Sequence, residues 1–131
     1  MAREVTTTIL VRWADLDALG HVNNATFLTY LEECRDQFMR EALGDVFLDM
    51  VIVRVEIDYR AEIPAGIQAV DVSCALESIG TSSLRTRERI TLPDGTVAAE
   101  SITVAVVRDR ESKSTRPWSD AERIALGSTD S

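Results

Sequence analysis

Aromatic residues make up only 5% of this chain, histidine occurs once and cysteine twice. With so few rings, the core must be built largely from aliphatic side chains. Cys34 and Cys74 sit in apolar-patterned segments with neither a Cys-x-x-Cys pair nor a Cys/His ligand spacing. Buried free thiols are therefore expected, and a metal or redox site is not. Positive charge is short too: 14 lysines and arginines face 22 acidic residues, a formal net charge of −8. That balance excludes a protein that holds nucleic acid through a clustered basic surface. It leaves room for a phosphorylated small molecule, which a few arginines suffice to hold. No apolar run reaches the roughly 18 residues of a membrane-spanning candidate, and the start MAREVTTT lacks the apolar stretch of a signal peptide. A cytoplasmic address with no membrane partner is the expectation.

What is present suits one domain over residues 1–131, since 45% of the chain is hydrophobic and two cores in this length would each be marginal. Over residues 4–13, Val5, Thr7, Ile9, Val11 and Trp13 alternate with Thr6, Thr8, Leu10 and Arg12, the period of a strand. From Asn24 to about Met39, Phe27, Tyr30, Leu31, Cys34 and Phe38 follow i, i+3, i+4, i+7 and i+11, the stripe of an amphipathic helix. Asn23 or Asn24 can cap it, Gly44 can stop it, and the opposite face carries Glu32, Arg35, Asp36 and Arg40. Four further strands near residues 50–61, 67–79, 83–92 and 97–108, with turn residues between them, read as consecutive antiparallel hairpins. One long helix over about five strands is an α+β fold whose sheet buries one face under the helix. Residues 119–126 add a helical turn, and 127–131 read as a frayed end.

Between the first strand and the helix lies the densest group of catalytically able side chains, Asp15, Asp17, His21, Asn23 and Asn24. A helix N-terminus presents unpaired N–H groups and partial positive charge, which can polarise a carbonyl and hold the oxyanion formed under attack. A carboxylate beside it, best placed at Asp17, can activate water or attack the carbonyl carbon itself. A thioester suits such a site because a thiolate leaves with little help from a general acid. The same residues equally describe an Asx-turn and an N-cap without catalysis. Asp15 is expected to shape the loop, since two adjacent carboxylates raise one another's pKa and hydrolysis needs only one. His21 is either a hydrogen-bonding residue or an acid–base group.

The run Val11-Arg12-Trp13-Ala14-Asp15-Leu16-Asp17-Ala18-Leu19-Gly20-His21-Val22-Asn23-Asn24, continued by Phe27, Tyr30 and Glu32-Glu33, resembles the signature of the 4-hydroxybenzoyl-CoA thioesterase family. The likeness extends through Val55 to Tyr59, Ile79 to Ser83 and Asp94-Gly95. It implies a hotdog fold, a curved antiparallel sheet wrapped around one long helix. Two subunits then pair edge to edge as a homodimer or homotetramer with active sites at the interface. It also implies an acyl-CoA or acyl-carrier-protein thioester as substrate, with no metal or organic cofactor. Carried over by position, Asp17 is the catalytic carboxylate and the Asn24 backbone N–H the carbonyl-polarising donor. His21, Asn23 and Glu62 are similar to functional positions of plant acyl-carrier-protein thioesterases, although Leu19 stands where those enzymes have an active-site asparagine.

Arg85, Arg87 and Arg89 share one face of a strand and are candidates for the coenzyme phosphates, with Arg108, Arg110 and Lys113 as competitors. The competing functions are a non-catalytic binding module for acyl-CoA or acyl carrier protein, a dehydratase or hydratase, and an assembly subunit whose partner carries the site. The Pro-Gly-His-type segment that dehydratases of this fold share is absent.

Overall fold

The computed structural model describes residues 4–127. Strands β1 (Glu4–Leu10), β2 (Met50–Tyr59), β3 (Ala69–Ile79), β4 (Ser83–Thr91) and β5 (Val97–Val107) form one antiparallel sheet. Helix α1 (Asn24–Leu43) packs on β1, β3 and β4. Its apolar stripe is buried as the spacing predicts: Phe27, Tyr30, Leu31, Cys34 and Phe38 are each at most 2% exposed. Each large apolar side chain so buried contributes about 1.5–3 kcal/mol, which is what holds the helix to the sheet. This is the hotdog arrangement. Gly44 ends α1 at φ 58°, a conformation disfavoured for residues with a Cβ.

The strand order is β1-β3-β4-β5-β2, which bears out the expected β3-β4 and β4-β5 hairpins and corrects the expected pairing of β2 with β3. Local alternation marks β2 and β3 as strands but does not name their partners: β2 pairs with β5, and β3 pairs with β1 and β4. The link between β2 and β3 crosses the sheet end instead of turning back, and Pro64 at its midpoint bridges to His21. β1 also stops earlier than expected. Residues Trp13–Asp15 form a 3-10 turn, and Trp13 is 88% exposed instead of sharing the buried face of Val5 and Ile9.

A third correction concerns the interior. Arg35, expected on the solvated face of α1, is buried, because β4 and β5 present a polar group beneath it. Glu88 is fully buried and accepts hydrogen bonds from the hydroxyls of Ser101 (2.6 Å), Thr103 (2.8 Å) and Thr86. Arg35 donates to Thr103 Oγ1 at 3.1 Å, and its guanidinium lies 3.6 Å from Glu88 Oε1. Cys34 and Cys74 are buried free thiols; burial pushes the Cys34 thiol up to about 11, far from thiolate chemistry at neutral pH. Helix α2 (Asp120–Leu126) is capped by Ser119 and Glu122, and the upstream Trp118 donates to the Ser83 carbonyl at 2.9 Å. Of the expected frayed end, residues 128–131 lie outside the described residues.

Candidate active site

The segment between β1 and α1 folds on itself. Leu16 bridges to Val22, the Asp17 N–H donates to the His21 carbonyl at 2.8 Å, and the Asn23 N–H closes the base on the Asp15 carbonyl at 2.9 Å. The crossing link supports this hairpin from outside, with Val22 N–H donating to Ile63 (2.9 Å) and Ala65 N–H to Gly20 (2.9 Å). At the helix start, the Asn23 side chain accepts from the Ala25 N–H at 2.8 Å and is the N-cap. The Asn24 N–H occupies the first helical position and has no acceptor among the described residues.

Asp17 divides its two oxygens. Oδ1 accepts from the N–H groups of Leu19 (2.9 Å) and His21 (3.3 Å), the Asx-turn foreseen as the non-catalytic reading. Oδ2 has no donor among the described residues and is left to meet a ligand. Asp15 is only 3% exposed and accepts from the Arg12 backbone N–H (2.9 Å), the Arg12 guanidinium (2.9 Å) and the Tyr30 hydroxyl (2.6 Å). Burial pushes its carboxyl up, but the hydrogen bonds from Arg12 and Tyr30 outweigh burial and leave it below the usual carboxylate range. A carboxylate with its lone pairs so occupied holds structure, whereas the partly exposed Asp17 keeps one oxygen without a donor among the described residues.

Asp17, His21, Asn24 and Glu62 line one cleft of about 360 Å³, together with Leu19, Val22, Phe27, Tyr59, Arg60 and Ala61. His21 Nε2 lies 3.3 Å from Glu62 Oε2. Asn23 caps the helix beside the cleft and does not line it. A larger groove of about 1040 Å³ runs between β1 and the flank of α1, but neither Asp17 nor His21 reaches it.

The remaining candidates lie elsewhere. Arg85, Arg87 and Arg89 project from the outer face of β4 and pair with carboxylates there: Arg85 and Arg87 with Glu77 (3.8 and 3.3 Å), Arg89 with Glu100 (2.8 Å). Arg108, Arg110 and Lys113 follow the end of β5 that pairs with Met50, while the cleft is beside Tyr59 at the other end of β2. Nine residues of strand, roughly 30 Å, separate those ends. Two polar side chains of the cleft escaped the sequence reading as site residues. Tyr59 donates its hydroxyl to the Asn24 carbonyl at 3.0 Å and meets Phe27 edge to face at 5.2 Å. Arg60 shares Glu100 with Arg89. The signal for both was the end of the alternating run just upstream of Glu62.

The family model of the thioesterase-like superfamily matches residues 11–126, from the end of β1 to the end of α2. The chain belongs to this superfamily. Among solved structures, it is similar to a thioesterase from Thermus thermophilus complexed with coenzyme A and Zn, at 33% identity over 94% of this chain and 91% of that one, TM-score 0.85. It is also similar to a predicted thioesterase from Bacillus stearothermophilus, at 31% identity over 95% and 94%, TM-score 0.82. A third likeness is to the probable thioesterase YbaW from Escherichia coli, at 28% identity over 92% and 95%, TM-score 0.77. A search of the curated proteins gave no match. The resemblance read from the sequence and the enzyme class it implies, a thioester hydrolase, agree with this membership.

Proposed function

We propose that this thioesterase-like protein hydrolyses an acyl-CoA or acyl-carrier-protein thioester to a carboxylic acid and a free thiol, with Asp17 as the reacting carboxylate. The observation that carries the reading is the pairing, in one cleft, of an unbonded carboxylate oxygen at Asp17 with an unbonded helix N–H at Asn24. As general base, Asp17 takes a proton from water while the water oxygen attacks the thioester carbonyl. As nucleophile, its oxygen forms a mixed anhydride and expels the thiolate, and water then cleaves the anhydride. In either course the charge developing on the carbonyl oxygen meets the Asn24 N–H at the positive end of α1. His21, beside Glu62, orients water or substrate at the cleft mouth. The reading calls for no metal or organic cofactor and carries with it a cytoplasmic setting. Among the described residues no group of three or more His, Cys, Asp or Glu could hold a metal ion, and no helix is long and apolar enough to cross a membrane.

The assembly proposed is a homodimer, or a homotetramer of two such pairs, joined along the free edge of β2. Ile52, Val53 and Val55 are 39%, 56% and 39% exposed on that edge, apolar surface that pairing with a second copy would bury. Tyr59 lies on the same strand, so the cleft would sit beside the junction.

The test is thiol release from a panel of short, medium, long and aromatic acyl-CoAs, by wild type and by Asp17→Asn. Turnover that falls by more than about a hundredfold in the variant, the low end of what general acid–base catalysis supplies, supports the reading. Equal rates would remove Asp17. Tight binding of acyl-CoA with no thiol release from any substrate would make the protein a binding module instead.

A further inference from the structure

The chain has two tyrosines, and both hydroxyls converge on the segment that carries Asp17 and Asn24. Tyr30 reaches back from the second turn of α1 to Asp15 Oδ2 at 2.6 Å. Asp15 in turn grips the Arg12 backbone and guanidinium, and its own carbonyl takes the Asn23 N–H at 2.9 Å, closing the hairpin on whose far side Asp17 sits. Tyr59 arrives from the other side, off β2, and donates to the Asn24 carbonyl at 3.0 Å. That carbonyl faces down the helix, so the bond fixes the peptide unit following the N–H that would meet the substrate.

Neither ring depends on its hydroxyl for packing. A tyrosine ring at position 30 fills its place in the core without its hydroxyl, and Tyr59 is 44% exposed, with its ring already against Phe27. Burial and the Asp15 contact both push the Tyr30 hydroxyl up, so it stays a donor across the accessible pH range. Position, in contrast, matters: the reading above needs the Asp17 oxygen and the Asn24 N–H to address the same carbonyl group. The Asp17 hairpin and the first turn of α1 are joined only through Val22 and Asn23.

We propose that Tyr30 and Tyr59 are positioning residues, a two-sided clamp that sets the distance and angle between the Asp17 carboxylate and the Asn24 N–H. This rests on the Asp17 reading of the cleft. Tyr30 acts through Asp15 and Tyr59 through the backbone of Asn24; loss of either hydroxyl lets one half of the site drift while the binding walls stay in place.

The experiment measures Tyr30→Phe, Tyr59→Phe and the double variant beside Asp17→Asn, with kcat and KM read separately and melting temperature as the fold control. Each single variant is expected to lower kcat by about tenfold, short of the roughly hundredfold that 1 Å of misplacement can cost, with KM within about twofold. A non-hydrolysable ketone analogue of acyl-CoA supplies a second readout, since its carbonyl stretch reports polarisation by the Asn24 N–H. That band should move towards its solution frequency in Tyr59→Phe. Wild-type kcat and an unmoved band in the phenylalanine variants, with Asp17→Asn inactive, would overturn the clamp and leave the Asp17 reading standing. An active Asp17→Asn would remove both. If Tyr30→Phe does not fold, Tyr59→Phe decides the proposal alone.

Discussion

Glu88 and Asp17 are carboxylates of one small sheet-and-helix unit in opposite surroundings. Glu88 is completely buried, with three hydroxyl donors and the Arg35 guanidinium around it. Asp17 is half-exposed in a cleft, with one oxygen tied into its own loop and the other without a partner. A buried charge is tolerated when it is paired and hydrogen-bonded, and the Glu88 oxygens are taken up by these donors, so the carboxylate under the helix has nothing left to offer a ligand. The loop carboxylate keeps an unused lone pair beside a helix N-terminus. Asp15 combines features of both: it belongs to the same loop as Asp17 but is satisfied as Glu88 is.

The largest effect that could break this contrast is on stability. Glu88→Ala leaves Arg35 buried with only Thr103 and is expected to cost about 3–5 kcal/mol in urea unfolding, the range for breaking a buried ion pair, without changing thioester turnover per folded molecule. A loss below about 1 kcal/mol would mean the interior group is not holding the helix down. Asp17→Asn inverts the pattern. Its amide oxygen can still take the Leu19 and His21 N–H groups, so unfolding free energy should stay within about 0.5 kcal/mol of wild type while turnover falls by more than about a hundredfold.

Asp15 supplies a finer test through pH. Its folded carboxyl titrates below the ordinary value of 3.8, so it adds stability that is fully present above about that pH and is lost as pH falls through the lower folded value. Removing the Tyr30 hydroxyl moves the folded value back towards the unfolded one. Melting temperatures of Tyr30→Phe should therefore start lower at neutral pH, by the worth of one hydrogen bond of about 1 kcal/mol, and decline less steeply on acidification. Parallel curves would show that Asp15 does not depend on Tyr30. The smallest effect belongs to the outer face, where Arg87→Ala breaks an exposed pair with Glu77 and should change stability by no more than about 1 kcal/mol and leave KM for acyl-CoA unaltered. A large rise in KM would return the arginine stripe to the coenzyme.

Much of this architecture was legible before the structure because local periodicity is a direct imprint of which face is covered. The helix stripe from Phe27 to Phe38 and the alternation of Leu84, Thr86 and Ile90 follow from it. Pairing was not legible, since Met50 to Tyr59 alternates in the same way whether β3 or β5 lies alongside. Arg35 misled because a charged residue on a helix ordinarily faces water, and only the juxtaposition with Glu88, more than fifty residues away in sequence, makes burial tolerable. In the loop, the sequence pointed to Asp17 and the helix start. Tyr59 and Arg60 enter the same cleft from a strand whose neighbour could not be read off the chain.

The strand order also has a consequence for synthesis. Among the described residues, β1 finds its partner only in β3, and β2 only in β5, residues 97–107, some forty residues further along the chain. A nascent chain that has emerged only as far as Tyr59 carries two strands and a helix with no sheet for them to join, and the cleft has no second wall until Arg60 and Ala61 are seated on the Ala98 carbonyl. Non-local pairing of this kind is slow and leaves strand edges open meanwhile. The loop that carries Asp17 thus precedes in sequence every strand that holds its cleft in place, and is set only when they are paired.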